Sequence, residues 1–313
     1  MRVMPPEVAL ACRAVVKRYG DVTAVNGLDL HVYRGECFGL LGPNGAGKTT
    51  TIEMLEGLLM PDAGDVEVLG RRWADAATEL RPRLGIQLQE TQLAEKLSVE
   101  ETLRLFRSFY AAGPSVAGLL ALVGLEAKAA ARVGNLSGGQ KQRLSVACAL
   151  AGTPDVLFLD EPTTGLDPQS RLQLWDVLRQ FKADGGTIVL TTHYMDEAAT
   201  LCDRIGVVDK GTLIALGTPV ELVQALGTAH VVEVAYSGAA SLTADRFATL
   251  PGVVEARVAD GLVTLGTGAI HTTIPAVLAV LGEADATVRE LRTHHATLED
   301  VFVALTGRHL RDV

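Results

Sequence analysis

The chain has 313 residues, of which 48% are hydrophobic and 4% aromatic, so about two domains with aliphatic cores are expected. A net charge of −9 argues against a nucleic-acid binder, which would need a basic face. The most apolar run, residues 116–125, is far shorter than the roughly 20 residues of a spanning helix, and the first residues lack the apolar core of a secretion signal. A cytosolic protein is therefore expected, one that can still dock on a membrane component.

Residues 8–34 alternate between apolar and polar side chains in the manner of two antiparallel strands. A turn is predicted between them at residues 17–20, and it contains Tyr19. A tyrosine near a strand end is usually a packed amphipathic side chain, but its aromatic face also suits a nucleobase. Both interpretations of Tyr19 stay open at the level of the local sequence.

Residues 42–50, GPNGAGKTT, fit the pattern G-x-x-x-x-G-K-[ST]. An apolar strand is predicted before them at residues 37–41 and a helix after them at residues 50–59, which is the context in which this pattern binds phosphate. Glycines let successive N–H groups converge on one anion, and the helix adds its positive end. The predicted phosphate loop comprises Gly42, Pro43, Asn44, Gly45, Ala46, Gly47, Lys48, Thr49 and Thr50. Lys48 is expected to reach the β- and γ-phosphates and Thr49 to ligate magnesium; the alternative is an ordinary glycine turn before a helix.

Two further strands are predicted downstream of this loop, at residues 65–69 and 84–88. The second ends beside Gln89. A glutamine there is commonly a solvated loop residue, but the carboxyl ends of strands in α/β sheets are also where ligands bind.

Residues 98–133 change character and predict an all-helical insert between strands. Ser98 and Glu101 form a capping box, and apolar residues follow at helical spacing. Further helical pieces are predicted at residues 116–125 and 127–133.

The segment LSGGQ at residues 136–140 opens another predicted helix, with Ser137 and Gln140 as a second capping box. It is either a well-capped helix or a second anion-binding helix N-terminus. Gly138 and Gly139 lower helix stability in the first turn, which favours close approach of a ligand to the backbone over simple capping.

The apolar run at residues 156–159 predicts a strand buried on both faces of a parallel sheet, and Asp160 and Glu161 follow it. Asp160 can hold magnesium, and Glu161 can polarise an attacking water as general base if its geometry allows. The alternative is two solvated acids. A lone histidine is usually structural or solvated, but His193 also stands at the carboxyl end of a predicted core strand, residues 186–192.

The remaining residues, 228–313, predict the order β-α-β-β-α-β plus a helix, which suggests a ferredoxin-like sandwich without an evident catalytic cluster. His294 and His295 are not expected to share a metal, because adjacent positions on a strand point apart. The cysteines form no C-x-x-C pair, so they are expected to be reduced and mostly buried, without a disulfide framework or a zinc site.

The loop 42–50, the LSGGQ segment, VLFLDEPTTGLDP at residues 156–168 and the TTH that ends at His193 together resemble the nucleotide-binding subunit of an ATP-binding cassette (ABC) transporter, over residues 8 to about 226. The resemblance implies ATP as substrate and Mg²⁺ as cofactor, with Thr49, Gln89 and Asp160 at the metal. It also implies that Tyr19 stacks on adenine, that Glu161 is the catalytic base and that His193 lies at the γ-phosphate. In addition, it implies that Gln89 senses the membrane partner and that Asp167 crosses a dimer interface.

The fold implied by this resemblance is an α/β P-loop NTPase core of the ABC type, in which a mixed sheet is joined by an antiparallel β subdomain and a helical subdomain. This domain is expected at residues 1–227, with the helical subdomain at about 90–152, and an accessory α+β domain at 228–313. In the family, the signature residues close over the γ-phosphate bound to another subunit; here they are Ser137, Gly138, Gly139 and Gln140. One chain with one loop and one signature is therefore expected to form a head-to-tail homodimer holding two ATP.

The tail, LEDVFVALTG at residues 298–307, resembles daunorubicin-resistance-type exporter ATPases. This resemblance implies drug or lipid export from a bacterium through a separate permease, with the chain bound peripherally at the cytoplasmic face of the membrane. The alternative is a soluble ABC ATPase acting on a protein or nucleic-acid machine. Such proteins usually carry two cassettes or a coiled coil and basic surfaces, which this chain lacks.

Overall fold

A computed structural model of the protein describes residues 6–87, 92–238 and 242–307. These residues form two compact units, of which the first ends at Pro219 and the second begins at Val220. The sequence predicts this boundary a few residues later, after residue 227. The elements of the first unit and of the boundary are, in chain order, β1 (Val8–Tyr19), β2 (Val22–Tyr33), β3 (Cys37–Leu41), α1 (Lys48–Glu56), β4 (Ala63–Val68), β5 (Arg71–Arg72), α2 (Trp73–Leu80), β6 (Leu84–Gln87), α3 (Val99–Arg107), α4 (Val116–Leu122), α5 (Gly138–Ala149), β7 (Val156–Asp160), α6 (Pro168–Ala183), β8 (Thr187–Thr191), α7 (Met195–Leu201), β9 (Arg204–Asp209), β10 (Thr212–Gly217) and α8 (Pro219–Gln224).

The centre of the first unit is a six-stranded sheet in the order β10-β9-β3-β8-β7-β6. All neighbouring strands are parallel except β10, which pairs antiparallel with β9. The strands β3, β7 and β8 are buried almost throughout, as their continuous apolar runs predict. Because these three strands are neighbours and run parallel, the segments that follow them meet at one edge of the sheet.

A second, antiparallel sheet in the order β2-β1-β4-β5 accounts for the alternating residues near the start of the chain. The predicted turn at residues 17–20 is placed too early. Lys17 pairs with Val25 and Tyr19 with Val22, so β1 continues to Tyr19 and the chain turns at Gly20, which has φ 58°. The predicted mixed sheet, antiparallel sheet and helical insert are otherwise confirmed.

One predicted helix of the insert is wrong. Residues 127–133 are rich in alanine, yet the chain there forms only short 3-10 turns. Its carbonyl groups accept from the segment that begins α3: Val99 N–H donates to Ala131 O over 3.0 Å and Glu100 N–H to Ala129 O over 3.0 Å. These tertiary hydrogen bonds use backbone groups that a helix would pair internally, and they override the local helix propensity.

The second unit contains β11 (His230–Ser237), α9 (Ala244–Ala248), β12 (Val253–Ala259), β13 (Leu262–Thr267), α10 (Ile270–Glu283), β14 (Thr287–His295) and α11 (Leu298–Thr306). Its antiparallel sheet has the order β12-β13-β11-β14, in which β13 lies between β11 and β12. This is the split βαβ arrangement of the ferredoxin-like fold that the sequence predicts. The adjacent histidines have different partners: His294 Nε2 lies 3.2 Å from Asp300 Oδ1, whereas the His295 ring lies 4.6 Å from that of His230.

All four cysteines are free and buried, as predicted from their spacing. Burial raises the pKa of Cys12 and of Cys148 to about 12, so both stay protonated thiols at neutral pH. Within the described ranges, no helix has the length and apolar character needed to cross a bilayer.

Candidate functional site

The predicted phosphate loop runs from the end of β3 to the start of α1, and its shape requires glycine at two positions. A Cβ on Gly42 would lie 2.3 Å from the carbonyl oxygen of Val208, and a Cβ on Gly47 would lie 2.3 Å from that of Ala24. Gly45 and Gly47 also have positive φ angles of 75° and 98°. The loop is therefore held tightly between main-chain atoms of two other segments.

Lys48 is folded back over this loop. Its Nζ donates to Gly42 O over 2.7 Å and to Pro43 O over 3.0 Å. Burial lowers the pKa of Lys48, while the negative charges of Glu161 and Asp160 act in the opposite direction. The ammonium group therefore lies at the loop, within electrostatic reach of both acids.

The acids after β7 are fixed by the neighbouring strand β8. Thr191 Oγ1 donates to Asp160 Oδ1, and the Glu161 N–H donates to both Thr191 O and Thr191 Oγ1 over 3.1 Å. Glu161 has a φ of 47°, a left-handed conformation that is strained for a residue with a Cβ. This backbone turn directs Glu161 away from the strand direction that Asp160 continues.

Glu161 and His193, each predicted at the carboxyl end of a strand, meet at this sheet edge. His193 Nδ1 lies 3.3 Å from Glu161 Oε2, and Thr164 Oγ1 donates to the same oxygen over 3.2 Å. The Glu161 side chain is mostly buried and that of His193 about one-third exposed. The edge therefore combines a cation, two carboxylates and an imidazole, the groups needed to bind and hydrolyse a polyphosphate.

The other residues predicted at the phosphate loop differ in exposure. Asn44, Gly45 and Thr49 are exposed at the mouth of the loop. Ala46 is buried, and its carbonyl oxygen accepts from the Gly211 N–H over 3.0 Å. Thr50 is partly buried in the first turn of α1.

Tyr19 is the last residue of β1 and is 49% exposed, with Lys17 Nζ 5.9 Å from its ring centroid. A core tyrosine would be covered, so the ring is available to a planar ligand. Gln89 lies outside the described residues; β6, which leads to it, ends at the buried Gln87.

The predicted capping box of α5 is present. Gln140 N–H donates to Ser137 Oγ over 3.3 Å, and Ser137 N–H donates to Gln140 Oε1 over 3.1 Å. The two glycines between them differ: a Cβ on Gly138 would meet nothing within 4 Å, whereas one on Gly139 would lie 2.5 Å from Ser170 Oγ. Close approach to α6 of the same chain therefore explains Gly139, and only Gly138 faces open space.

This difference makes a stability prediction. Gly139→Ala should lower the free energy of unfolding by about 1–3 kcal/mol, because Ser170 must move away from the new methyl group and give up its bond to Asp167. Gly138→Ala should be neutral or stabilising, since alanine favours a helix over glycine by about 1 kcal/mol. Urea unfolding of both variants checks this, and equal stabilities would contradict the packing explanation.

Asp167 caps α6. Its carboxylate accepts from the N–H groups of Gln169 and Ser170 over 3.1 and 3.0 Å and from Ser170 Oγ over 2.6 Å. The Ser170 hydroxyl and N–H hold the pKa of Asp167 below its usual range. This residue is therefore an ionised cap in the folded chain.

Sequence reasoning did not single out two polar residues that lie next to the site residues, Thr191 and Glu197. Thr191 is the strand partner of Asp160, and Glu197 is a fully buried carboxylate in α7. The sequence did contain a signal for Thr191. It is a polar residue at the end of an apolar strand, and ligands bind at the carboxyl ends of the strands in such sheets. For Glu197 there was no signal, because an acid in the first turn of a helix is ordinarily solvated.

Comparisons with known proteins agree with this geometry. A family model described as ABC transporter matches residues 25–164. The Nod factor export ATP-binding protein I of Cupriavidus pinatubonensis is 42% identical over 308 residues, covering 97% of this chain and 92% of that protein. Its counterpart from Paraburkholderia xenovorans is 43% identical over 314 residues, covering 98% of this chain and 100% of that protein.

Solved structures that match about two thirds of the chain give the same result. A structure described as the ATP binding subunit of an ABC transporter has 31% identity and a TM-score of 0.63, covering 70% of this chain and 93% of that one. A dimeric, post-hydrolysis ATP-binding cassette bound to ADP and Pi has 27% identity and a TM-score of 0.61, covering 67% and 98%. Because the two Nod factor export relatives are more than 40% identical and are matched along nearly their whole length, this chain belongs to the ABC transporter family as an ATP-binding subunit with ATPase activity.

Proposed function

We propose that this subunit hydrolyses ATP at the edge formed by β3, β7 and β8, and that hydrolysis powers export through a separate membrane permease. The observation that carries the proposal is the meeting of Lys48, Asp160, Glu161 and His193 at that edge, from three segments distant in sequence. Positioned charges of this kind are the main contribution that proteins make to phosphoryl transfer.

Within the proposed site, Lys48 exchanges the carbonyl oxygens of Gly42 and Pro43 for the β- and γ-phosphates of ATP. Glu161 Oε2 accepts a proton from the attacking water, while Thr164 and His193, both within 3.3 Å of that oxygen, fix its position. The left-handed turn at Glu161 is what directs this carboxylate to the site.

The residues at this edge also fit Mg²⁺. Asp160 and Thr49 are hard oxygen ligands of the type that Mg²⁺ prefers, and the Thr191 hydroxyl holds one Asp160 oxygen in place. Gln89, the third proposed ligand, lies outside the described residues. When bound, the cation neutralises charge on the β- and γ-phosphate oxygens.

The chain is proposed to act as a head-to-tail homodimer with two ATP at the interface. Each chain has one phosphate loop and one signature, and Gly138 at the start of α5 presents open backbone to a partner's γ-phosphate. The dimeric cassette with ADP and Pi among the similar structures supports this arrangement. Asp167 would cross this interface, and Tyr19 would stack on adenine.

The proposed contact with the permease is the exposed face of α3. Phe109, just after α3, is 67% exposed and Leu105 is 45% exposed, so two large apolar side chains four residues apart are open to a partner. Docking there would place the chain peripherally at the cytoplasmic face of the membrane. The names of the relatives and the resemblance of the tail to drug exporters both support export; the permease would determine whether the cargo is a drug, a lipid or another compound.

A complementation experiment tests the dimer and the hydrolysis together. Lys48→Ala removes the ammonium group that would bind the phosphates of ATP. Gly138→Glu places a negative charge where the partner's γ-phosphate would lie, and a side chain at position 138 meets no neighbouring atom within 4 Å at its Cβ. Each variant alone should lack turnover. Mixed in equal amounts they should recover about one quarter of wild-type phosphate release, because half of the dimers then contain one intact site of two. Recovery of no activity, with both variants folded, would reject the shared-site arrangement.

A further inference from the structure

A buried carboxylate, that of Glu197, lies close to the segments that contain Glu161 and His193. Glu197, in the first turn of α7, is fully buried, and Trp175 Nε1 donates to its Oε1 over 2.9 Å. Burial raises the pKa of Glu197, whereas the nearby Thr192, Trp175 and Thr163 and the charge of Arg171 lower it. The carboxylate therefore lies among polar side chains inside the unit rather than in solvent, and its Oε1 is paired with Trp175.

The three segments around this carboxylate each contain a candidate site residue. They are the turn after β7 with Thr163 and Glu161, the segment after β8 with Thr192 and His193, and α6 with Trp175 and its cap Asp167. The Thr192 hydroxyl in turn accepts from the Tyr194 N–H over 3.0 Å, across His193. Glu197 thus lies against three residues that adjoin the proposed site. Thr163 is near the proposed base Glu161, Thr192 precedes the proposed γ-phosphate sensor His193, and Trp175 is in the helix capped by the proposed interface residue Asp167.

This burial does not favour stability. Removing a carboxylate from water costs several kcal/mol unless its oxygens are well paired. Among the residues that the structure describes, Glu197 Oε2 and Thr163 Oγ1 are both buried without a hydrogen bond of standard geometry. An apolar side chain of similar size would avoid this cost, so stability alone does not explain a glutamate here.

We infer that Glu197 is a positioning residue for ATP hydrolysis, which holds the Glu161, His193 and Asp167 segments in register through Thr163, Thr192 and Trp175. This inference rests on the proposed function. It assigns no contact with ATP to Glu197, so its effect should fall on turnover rather than on nucleotide binding.

The test compares two replacements in the full chain. Glu197→Leu should lower kcat about tenfold or more while changing the KM for ATP less than about twofold, and should unfold at the same urea concentration as the wild type or a higher one. Glu197→Gln keeps an acceptor for Trp175 and donors for both threonines, so it should restore kcat to within about threefold. Trp175→Phe, which removes the donor, should lower kcat in the same direction and add little to Glu197→Leu.

Glu36→Gln is the matched control, because Glu36 is also buried but lies in the β2–β3 turn, where it pairs with Arg204. It should lower stability and leave kcat unchanged. Wild-type kcat in Glu197→Leu, or an equal loss in Glu197→Gln, would overturn the inference.

A second readout does not depend on turnover. Trp175 is one of two tryptophans, so its indole N–H resonance can be assigned with Trp73→Phe. It should move when ATP and Mg²⁺ are added, and it should lose this response in Glu197→Leu. A chain that binds ATP without hydrolysing it would count against the proposed function, whereas an indole resonance indifferent to ATP would count against the role of Glu197.

Discussion

Replacing Glu161 by glutamine should lower ATP turnover by about 10²–10⁴-fold, the range that a general base contributes. Glutamine has the same shape and the same strain at φ 47°, and it can still accept from Thr164 through its amide oxygen. It cannot take a proton from water. The loss should therefore appear in kcat, measured as phosphate release in a single turnover, with ATP affinity within about threefold of the wild type.

The same variant should accumulate as an ATP-bound dimer on a sizing column, since ATP closes the proposed interface and hydrolysis opens it. Glu100→Gln, on the exposed surface of α3 where Glu100 pairs with Arg104, serves as the control and should match the wild type in both measurements. Turnover of the Glu161 variant within tenfold of the wild type would show that another group, or water alone, accepts the proton.

Glu56→Gln should stabilise the protein by about 3 kcal/mol at pH 7. Glu56 is buried at the end of α1, and burial, with the charges of Asp160 and Glu53, raises its pKa from 4.5 to about 8. Between these values the unfolded chain has released the proton and the folded chain has kept it. The unfolded state therefore binds fewer protons, and the free energy of unfolding falls as pH rises through this window.

Glutamine resembles the protonated acid and never ionises, so the variant should lack this part of the pH dependence. Urea unfolding at pH 5, 6, 7 and 8 checks it: the two proteins should differ by less than about 1 kcal/mol at pH 5 and diverge steadily above it. Glu79→Gln, at an exposed position on α2, should retain the wild-type slope. Parallel curves for the Glu56 variant and the wild type would mean that Glu56 is ionised in the folded state.

The sequence predicted the sheet edge well because its signals are local. Continuous apolar runs mark β3, β7 and β8, and each is followed at once by the residues of interest, among them Lys48, Glu161 and His193. Parallel pairing of neighbouring strands then brings those residues together without further information.

What the sequence did not predict depends on partners distant along the chain. Residues 127–133 have a helical sequence, but their carbonyl groups accept hydrogen bonds from Val99 and Glu100 instead. The glycines of the signature look alike until Ser170 is placed beside Gly139. Glu197 looks like a solvated acid until α6 covers it with Trp175. Each depends on side chains or backbone groups whose proximity only the tertiary structure sets.

The atoms that face each glycine also determine whether a second substitution can relieve the clash caused by replacing that glycine. Gly139 is opposed by a side chain, so Ser170→Gly would make room for an alanine at Gly139. Gly42 and Gly47 are opposed by the carbonyl oxygens of Val208 and Ala24, which every residue carries. No replacement at those two opposing positions removes the clash, so intragenic suppressors should arise for the signature glycine and not for the two glycines of the phosphate loop.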